Sequence, residues 1–243
     1  MCLIAIAHLT SVRFPLVIAA NRDEDYERAT HDAHAWNDAP DVIGGRDALY
    51  GGSWLAVRRG GRFAAVTNLR GAERRTRSRG FLVRDFVTSD VAVSEYAASI
   101  AGDAHQYAGF HLLAGEAGRT IFYIAPEAQS PLAPGVHAFS NAPNGEVWPK
   151  TTIAIEAMQS ALTNADDPET LADALLRFLS TPRGTGAVES EVFIAGDRYG
   201  TRSSAVIVAS ESEMLFAEQS YARDGLPHGA RRLFRLALRG MGQ

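Results

Sequence analysis

The chain has 243 residues, 46% hydrophobic and 21% charged, the balance of a globular protein that can bury a substantial core without disulfides or metals. Its net charge of −4 provides no global basic field to call for a nucleic-acid partner. A single cysteine, Cys2, rules out an intramolecular disulfide, and no apolar stretch is long enough for a membrane span.

The apolar chain start does not read as a signal peptide. It lacks a basic leading region, His8 and Arg13 interrupt it, and Ala19-Ala20-Asn21-Arg22 runs into charge. Cys2 also lies too early to be a lipoprotein cleavage cysteine, so a cytoplasmic location is expected. Arginine almost entirely replaces lysine, Lys150 being the only one, which points to a GC-rich bacterial genome rather than to a function.

Residues 2–9 and 14–20 are two apolar runs joined by Thr10-Ser11-Val12-Arg13, which predicts a β-hairpin. Both are apolar at successive positions, so both faces are buried and the hairpin is central in its sheet. If the four-residue link sets the register, Cys2 pairs near Asn21. A polar, glycine-bearing loop is expected over 25–53, then strands at 54–58 and 63–67 turned by Gly60-Gly61. Residues 80–100 carry helical spacing, and 110–115 with 120–125 read as a hairpin. Thr151 or Thr152 caps a predicted helix reaching Leu162, and Asp167-Pro168-Glu169 opens another with proline in its first turn. Strands are predicted at 203–209 and 214–218, followed by an amphipathic helix over 230–238. Strands come in hairpins and helices in pairs, and no repeat or linker appears. The pattern is α+β, one domain over 1–243, with a sheet-on-sheet core and helices outside.

Cys2 carries the chemical signal. Methionine is normally removed before a small residue, which would expose the α-amine of Cys2. A free thiol titrates near 8.5 and an α-amine near 7.7–8 in model compounds, so one residue can supply both nucleophile and general base. Thiolate is the reactive form, and a neighbouring guanidinium favours it. A small buried hydrophobe at a strand start is the competing reading. Against it, Asn21-Arg22-Asp23-Glu24 places an amide, a cation and two acids beside the chain start, where a plain hairpin end needs one turn residue.

Other constellations are weaker. His31 and His34 stand three apart near Asp32 and Asp38, without the third or fourth ligand a metal site requires. Gly44-Gly45 and Gly51-Gly52 lack the lysine of a phosphate loop and read as turns, although Gly51-Gly52-Ser53-Trp54 would allow a ligand close to the backbone. No Gly-x-Ser-x-Gly elbow is present. Arg70, Arg74, Arg75, Arg77 and Arg79 form a local basic cluster, either a solvated loop or a site for an anionic group.

Motifs along nearly the whole chain resemble the family named for its Asn-Arg-Asp-Glu motif, also called the transport and Golgi organisation protein 2 family. They are Met1-Cys2-Leu3-Ile4, Ala20-Asn21-Arg22-Asp23-Glu24, Gly51-Gly52-Ser53-Trp54-Leu55 and Ala65-Val66-Thr67-Asn68-Leu69-Arg70. Ser78-Arg79-Gly80, His137-Ala138-Phe139-Ser140-Asn141, Trp148-Pro149-Lys150 and Tyr199-Gly200-Thr201-Arg202-Ser203-Ser204 complete the set. That family is similar to the N-terminal-nucleophile hydrolases of the penicillin V acylase and bile-salt hydrolase type.

The resemblance implies a four-layer αββα sandwich of antiparallel sheets, with Cys2 as nucleophile. It implies Asn68 and Asn141 (in Ser140-Asn141-Ala142-Pro143) at an oxyanion hole, and Arg202 brought back to the nucleophile. The hydrolases carry an Arg-x-x-Asp pair, a spacing matched here by Arg22 and Asp25, whereas the family motif stops at Glu24. Side-chain alternation equally allows Asn21 and Glu24 to face Cys2; the reading taken forward places Arg22 and Asp23 near the thiol and amine, with Asn21 and Glu24 supporting. The implied activity is a cysteine amidohydrolase or acyltransferase acting on a small amide, thioester or ester, a hydrolase of non-peptide C–N bonds. It needs no metal or other cofactor, and its partner is a small-molecule substrate, with no nucleic acid and no membrane span. Relatives are linked to haem trafficking and lipid homeostasis, so a non-catalytic carrier is also implied, with haem iron on Cys2 or a histidine, or an acyl chain against apolar walls.

Overall fold

The unbroken apolar run LIAIAH is buried at every position and forms Leu3–His8 (β1). Leu16–Asp25 (β2) returns antiparallel to it, completing the expected hairpin. Then follow Thr30–Trp36 (β3), Ala39–Asp47 (β4), Leu55–Arg58 (β5), Arg62–Asn68 (β6), Gly80–Thr88 (α1), Val93–Asp103 (α2), Phe110–Glu116 (β7) and Ile121–Ala125 (β8). The chain continues through Ala128–Pro131 (β9), Gly135–Ser140 (β10), Pro149–Asn164 (α3), Pro168–Leu179 (α4), Tyr199–Ala209 (β11), Glu213–Tyr221 (β12) and Pro227–Ala237 (β13). This computed structural model describes residues 2–73, 75–142, 146–184 and 186–238. Met1, Arg74 and Pro143, each singled out above, lie outside the described residues.

The strands form two antiparallel sheets. One runs β10-β1-β2-β11-β12-β13 and the other β3-β4-β5-β6-β7-β8-β9. Strand alternation sorts the hairpin's apolar residues onto two faces. Ile4, Ile6, Ile18 and Ala20 point to the second sheet and meet Leu55, Phe63 and Leu113. Leu3, Ala5, Val17 and Ala19 point outward and pack on Met158 of α3 and Leu171 and Leu175 of α4. On the far side, Ala64, Val66 and Leu112 carry Leu82 and Phe86 of α1 and Ile100 of α2. The order is helix, sheet, sheet, helix, an α+β sandwich of four layers.

Several expectations need correction. The loop over 25–53 contains β3 and β4. Among the residues of β3 only Ala33 and Trp36 are buried, so its sequence never shows a full alternation; it pairs as an edge strand. Gly44 belongs to β4, where an added Cβ would lie 2.6 Å from the Leu55 carbonyl oxygen. That glycine serves strand contact instead of a turn. The helical stretch 80–100 is two helices, because Arg62 Nε and Arg58 Nη1 donate to the carbonyls of Phe86 and Ser89 and close off the end of α1. β9 and β10 were not foreseen.

α3 begins earlier than predicted, with Pro149 in its first turn, and Thr151 donates back to the Trp148 carbonyl instead of capping. Asp167 does cap α4, accepting from the Thr170 amide. The helix expected over 230–238 is the edge strand β13. There Arg232, Phe234 and Leu236 turn inward with period two, and pairing with β12 outweighs the helical spacing of Leu233 and Leu236.

One acid is buried between the sheets away from the chain start. Glu218 on β12 accepts from the Ala33 amide at 2.6 Å, beside Asp32, which takes Ser220 and Arg232 at 2.7 Å each. Burial first, then the negative charge of Asp32, push the Glu218 carboxyl up to about 7, against the Ala33 hydrogen bond and Arg232.

Candidate active site

Leu3 lies opposite Asn21 on one side and Ser140 on the other. One residue earlier, the same two registers set Cys2 between Arg22 and Asn141. Residues directly opposite share a face, and Ile4, Ala20 and Phe139 in this zone face the second sheet. Arg22, Cys2 and Asn141 therefore form a row on the inner face. The sequence expectation put Cys2 near Asn21; the partner is the next residue, Arg22, because the strands end at His8 and Leu16 and the connection is longer than four residues. A one-residue change swaps which side of the motif meets the cysteine.

Asn21 is thus on the outer face, and its side chain is fully used. Nδ2 donates to the carbonyls of Leu179 and Val192 at 2.8 Å each, and Oδ1 accepts from Ser204 at 2.6 Å. This amide ties β2 to the end of α4 and to β11, which is a structural role.

Arg22 is only 7% exposed. Nη2 stands 3.5 Å from Glu24 Oε2, while Nη1 is buried without a hydrogen-bond partner among the described residues. Burial lowers the guanidinium's pKa, opposed by the negative charges of Glu24 and Cys2. Glu24 also faces Arg28 Nε at 3.7 Å. Asp23 is buried, with Oδ1 accepting from Thr201 Oγ1 at 2.7 Å and its carbonyl accepting from Tyr199 Oη at 3.1 Å. Burial raises its carboxyl pKa, opposed by the Thr201 hydroxyl and by the charge of Lys150. Asp25 points elsewhere, to the Glu27 amide and Arg198.

Asn141 is 1% exposed, and its Oδ1 is buried without a hydrogen-bond partner among the described residues. The turn that follows is held instead by Ser140 Oγ, which accepts from the Ala142 amide. Asn68 ends β6 and faces the same cavity as Cys2. Arg202 occupies a β-bulge between Thr201 and Ser203. Its Nη1 donates to the carbonyls of Asp25, Tyr26 and Arg28 at 3.0–3.2 Å, so it braces the loop after β2 and does not line the cavity.

The cavity measures about 570 Å³. Cys2, Arg22 and Asp23 form one wall and Asn68, Ser78 and Arg79 another, while Leu49 and Tyr50 stand exposed at the rim. His31 and His34 do not line it, and no cluster of metal-ligating side chains occurs among the described residues. Gly51-Gly52 was read as a turn that would also allow a ligand close to the backbone, and Gly52 meets Gly80 there. A Cβ on Gly52 would lie 2.6 Å from the Gly80 carbonyl carbon, so the close approach is made by the chain's own backbone.

Sequence reasoning gave no role to Arg79 or Lys150. Arg79 was visible as part of the basic cluster and of the motif Ser78-Arg79-Gly80, without a role of its own. Lys150, the sole lysine, is 1% exposed at the start of α3. Burial lowers its pKa, opposed by Asp23 and Cys2; its uniqueness in the sequence was the available signal.

The chain is an α+β sandwich of four layers, with Cys2 just ahead of a central strand and lining a cavity. Its fold is similar to that of the mutant conjugated bile acid hydrolase from Clostridium perfringens, with a TM-score of 0.54 at 9% identity over 96% of this chain and 92% of that one. Residues 1–223 match the family described as Transport and Golgi organisation 2, and the chain belongs to that family. The Bos taurus homolog of Transport and Golgi organization protein 2 is 30% identical over 85% of this chain and 87% of its own length. The Homo sapiens homolog is 28% identical over 93% of each. No helix among the described residues is long and apolar enough to cross a membrane.

Proposed function

We propose that the protein is an N-terminal cysteine amidohydrolase or acyltransferase acting on a small amide, thioester or ester. The observation that carries this reading is the inner-face row of Arg22, Cys2 and Asn141, in which Cys2 and Arg22 line the cavity and Asn141 lies buried beside them. Removal of Met1 frees the Cys2 α-amine, which takes the thiol proton as sulfur attacks the carbonyl carbon. The carbonyl electron pair moves onto oxygen, where the amides of Asn141 and Asn68 receive it. Collapse of that intermediate reforms the carbonyl and breaks the bond to the leaving group, which takes the proton back from the ammonium. Water, or an acceptor in the transferase case, then attacks the thioester with the same amine as base and restores the thiol. Asp23 orients the amine, and Arg22 stabilises the thiolate.

Haem fits the cavity poorly. No histidine lines it, and six arginines and three carboxylates do, so Cys2 is the only soft ligand and the walls are not apolar. No step is derived through it. A carrier for another small ligand is the outcome left if turnover is absent.

The test is turnover over amides, thioesters and esters by the mature protein and its Cys2→Ala variant, with intact mass of the native protein. Turnover lost in Cys2→Ala, with a mass lacking methionine, is the expected result. A retained Met1 removes the base, and no turnover on any of the three classes overturns the enzyme reading.

A further inference from the structure

A chain of net charge −4 lines its cavity with six arginines against three carboxylates. Five of those arginines have a carboxylate within 4.0 Å: Arg22, Arg28, Arg46, Arg75 and Arg77. Arg79 has none among the described residues, although it is half-buried. Nη1 donates to the Gly109 carbonyl at 3.0 Å; burial lowers the guanidinium's pKa, the Glu24 carboxylate opposes that from beyond ion-pair distance, and Arg28 adds to it. A guanidinium removed from water is normally paired.

A second, independent valence is unpaired on a residue that lines the same cavity. Arg22 Nη1 is buried with no partner among the described residues, which is costly unless a ligand completes it. α1 also starts at this wall with no acidic residue in its first turn, so its positive end is left uncompensated by the protein. Its first amides are already used, since those of Gly80, Phe81 and Leu82 bond to Ser78 and Arg79; the side chains and the dipole are what a ligand meets.

We infer that this cavity takes a substrate bearing an anionic group, a carboxylate or a phosphate, and that Arg79 is the specificity-determining residue that holds it beside Cys2. The two-pronged guanidinium suits either oxyanion. This inference rests on the reading of Cys2 as the reactive group of the site, and it narrows the substrate class.

The test needs no turnover, so its failure is distinct from failure of the hydrolase reading. Cys2, the only thiol, is alkylated with iodoacetate and with iodoacetamide, and the ratio of the two rates is compared with that of N-acetylcysteine. The ratio cancels the nucleophilicity of the thiol and keeps the attraction for the carboxylate. It is expected to exceed the model thiol's by about tenfold, to fall as salt is added, and to drop toward the model value in Arg79→Gln. Arg59→Gln, a remote surface change, keeps the wild-type ratio. A wild-type ratio equal to that of the free thiol overturns the proposal, as does an unchanged ratio in folded Arg79→Gln. If Arg79→Gln does not fold, the wild-type arms decide: acetate and inorganic phosphate are each tested for protection of Cys2 from iodoacetamide. The one effective at lower concentration names the group, and protection by neither sinks the idea.

Discussion

The two faces of the first sheet at the chain start are built from the same kinds of residue and end in opposite states. On the outer face, Asn21 spends every valence on Leu179, Val192 and Ser204. On the inner face, Asn141 Oδ1 and Arg22 Nη1 are buried without a hydrogen-bond partner among the described residues. A buried polar group that is satisfied holds the fold together, whereas one left open lowers stability and is kept where a ligand will complete it. Residue type and burial are alike for the two asparagines; only the hydrogen-bond inventory separates them.

Breaking each face in turn should therefore give unlike losses. Asn141→Ala is expected to lower kcat by on the order of 10²-fold, with KM and melting temperature nearly unchanged, because its amide serves charge that exists only in the transition state. Steady-state kinetics beside a thermal melt checks this, and a melting shift with intact turnover would assign Asn141 to the fold instead. Asn21→Ala should do the reverse. It strands two carbonyls and a hydroxyl under α4 and costs about 3 kcal/mol of stability. Denaturant unfolding reads that loss, and a variant as stable as wild type would show that water replaces the amide.

The inner face also holds Glu218, which sharpens the comparison because it is buried and hydrogen-bonded but lies outside the cavity. Its folded pKa of about 7 stands above the ordinary value of 4.5, so the folded state binds the proton more tightly than the unfolded one. Its contribution to stability is complete below about pH 4.5, declines as pH rises to about 7, and is gone above that. Glu218→Gln should hence gain on wild type by on the order of 2 kcal/mol between pH 5 and 8. Melts across that window check the sign, and parallel curves for the two proteins would refute the protonated carboxyl.

How much of this was legible beforehand depended on how many neighbours each residue needed to declare itself. β1 and β2 announce themselves because both faces are buried along residues 3–7 and 16–20 and every position of those runs is apolar. β3 does not, since its inward side chains are few and its pairing to β4 is broken by bulges. β13 was misread because Leu233 and Leu236 fit a helix as well as Phe234 and Leu236 fit a strand, and only the presence of β12 decides. At the site, Cys2 and the motif beside it were readable from chemistry and resemblance. Arg22 was chosen as the motif residue beside the cysteine, and the strand register puts it there, but side-chain alternation alone also allowed Asn21 and Glu24, because the answer turns on a register shift of one. Arg202 illustrates the same limit: its place in the sequence returns it near Arg22, but a bulge aims its guanidinium at three carbonyls of the following loop.

The contact between Gly52 and Gly80 has a consequence for how the cavity can change over generations. The two backbones already touch, and an added methyl on either would have to push the start of α1 aside, carrying Arg79 with it. That wall cannot drift by single small steps. Leu49 stands exposed at the rim, where a larger, smaller or more polar side chain meets solvent, and Tyr50 beside it is held by the Arg28 guanidinium over its ring. Diversity in what descendants of this protein accept is therefore channelled to the rim, while the depth at which a ligand meets Cys2 is inherited unchanged.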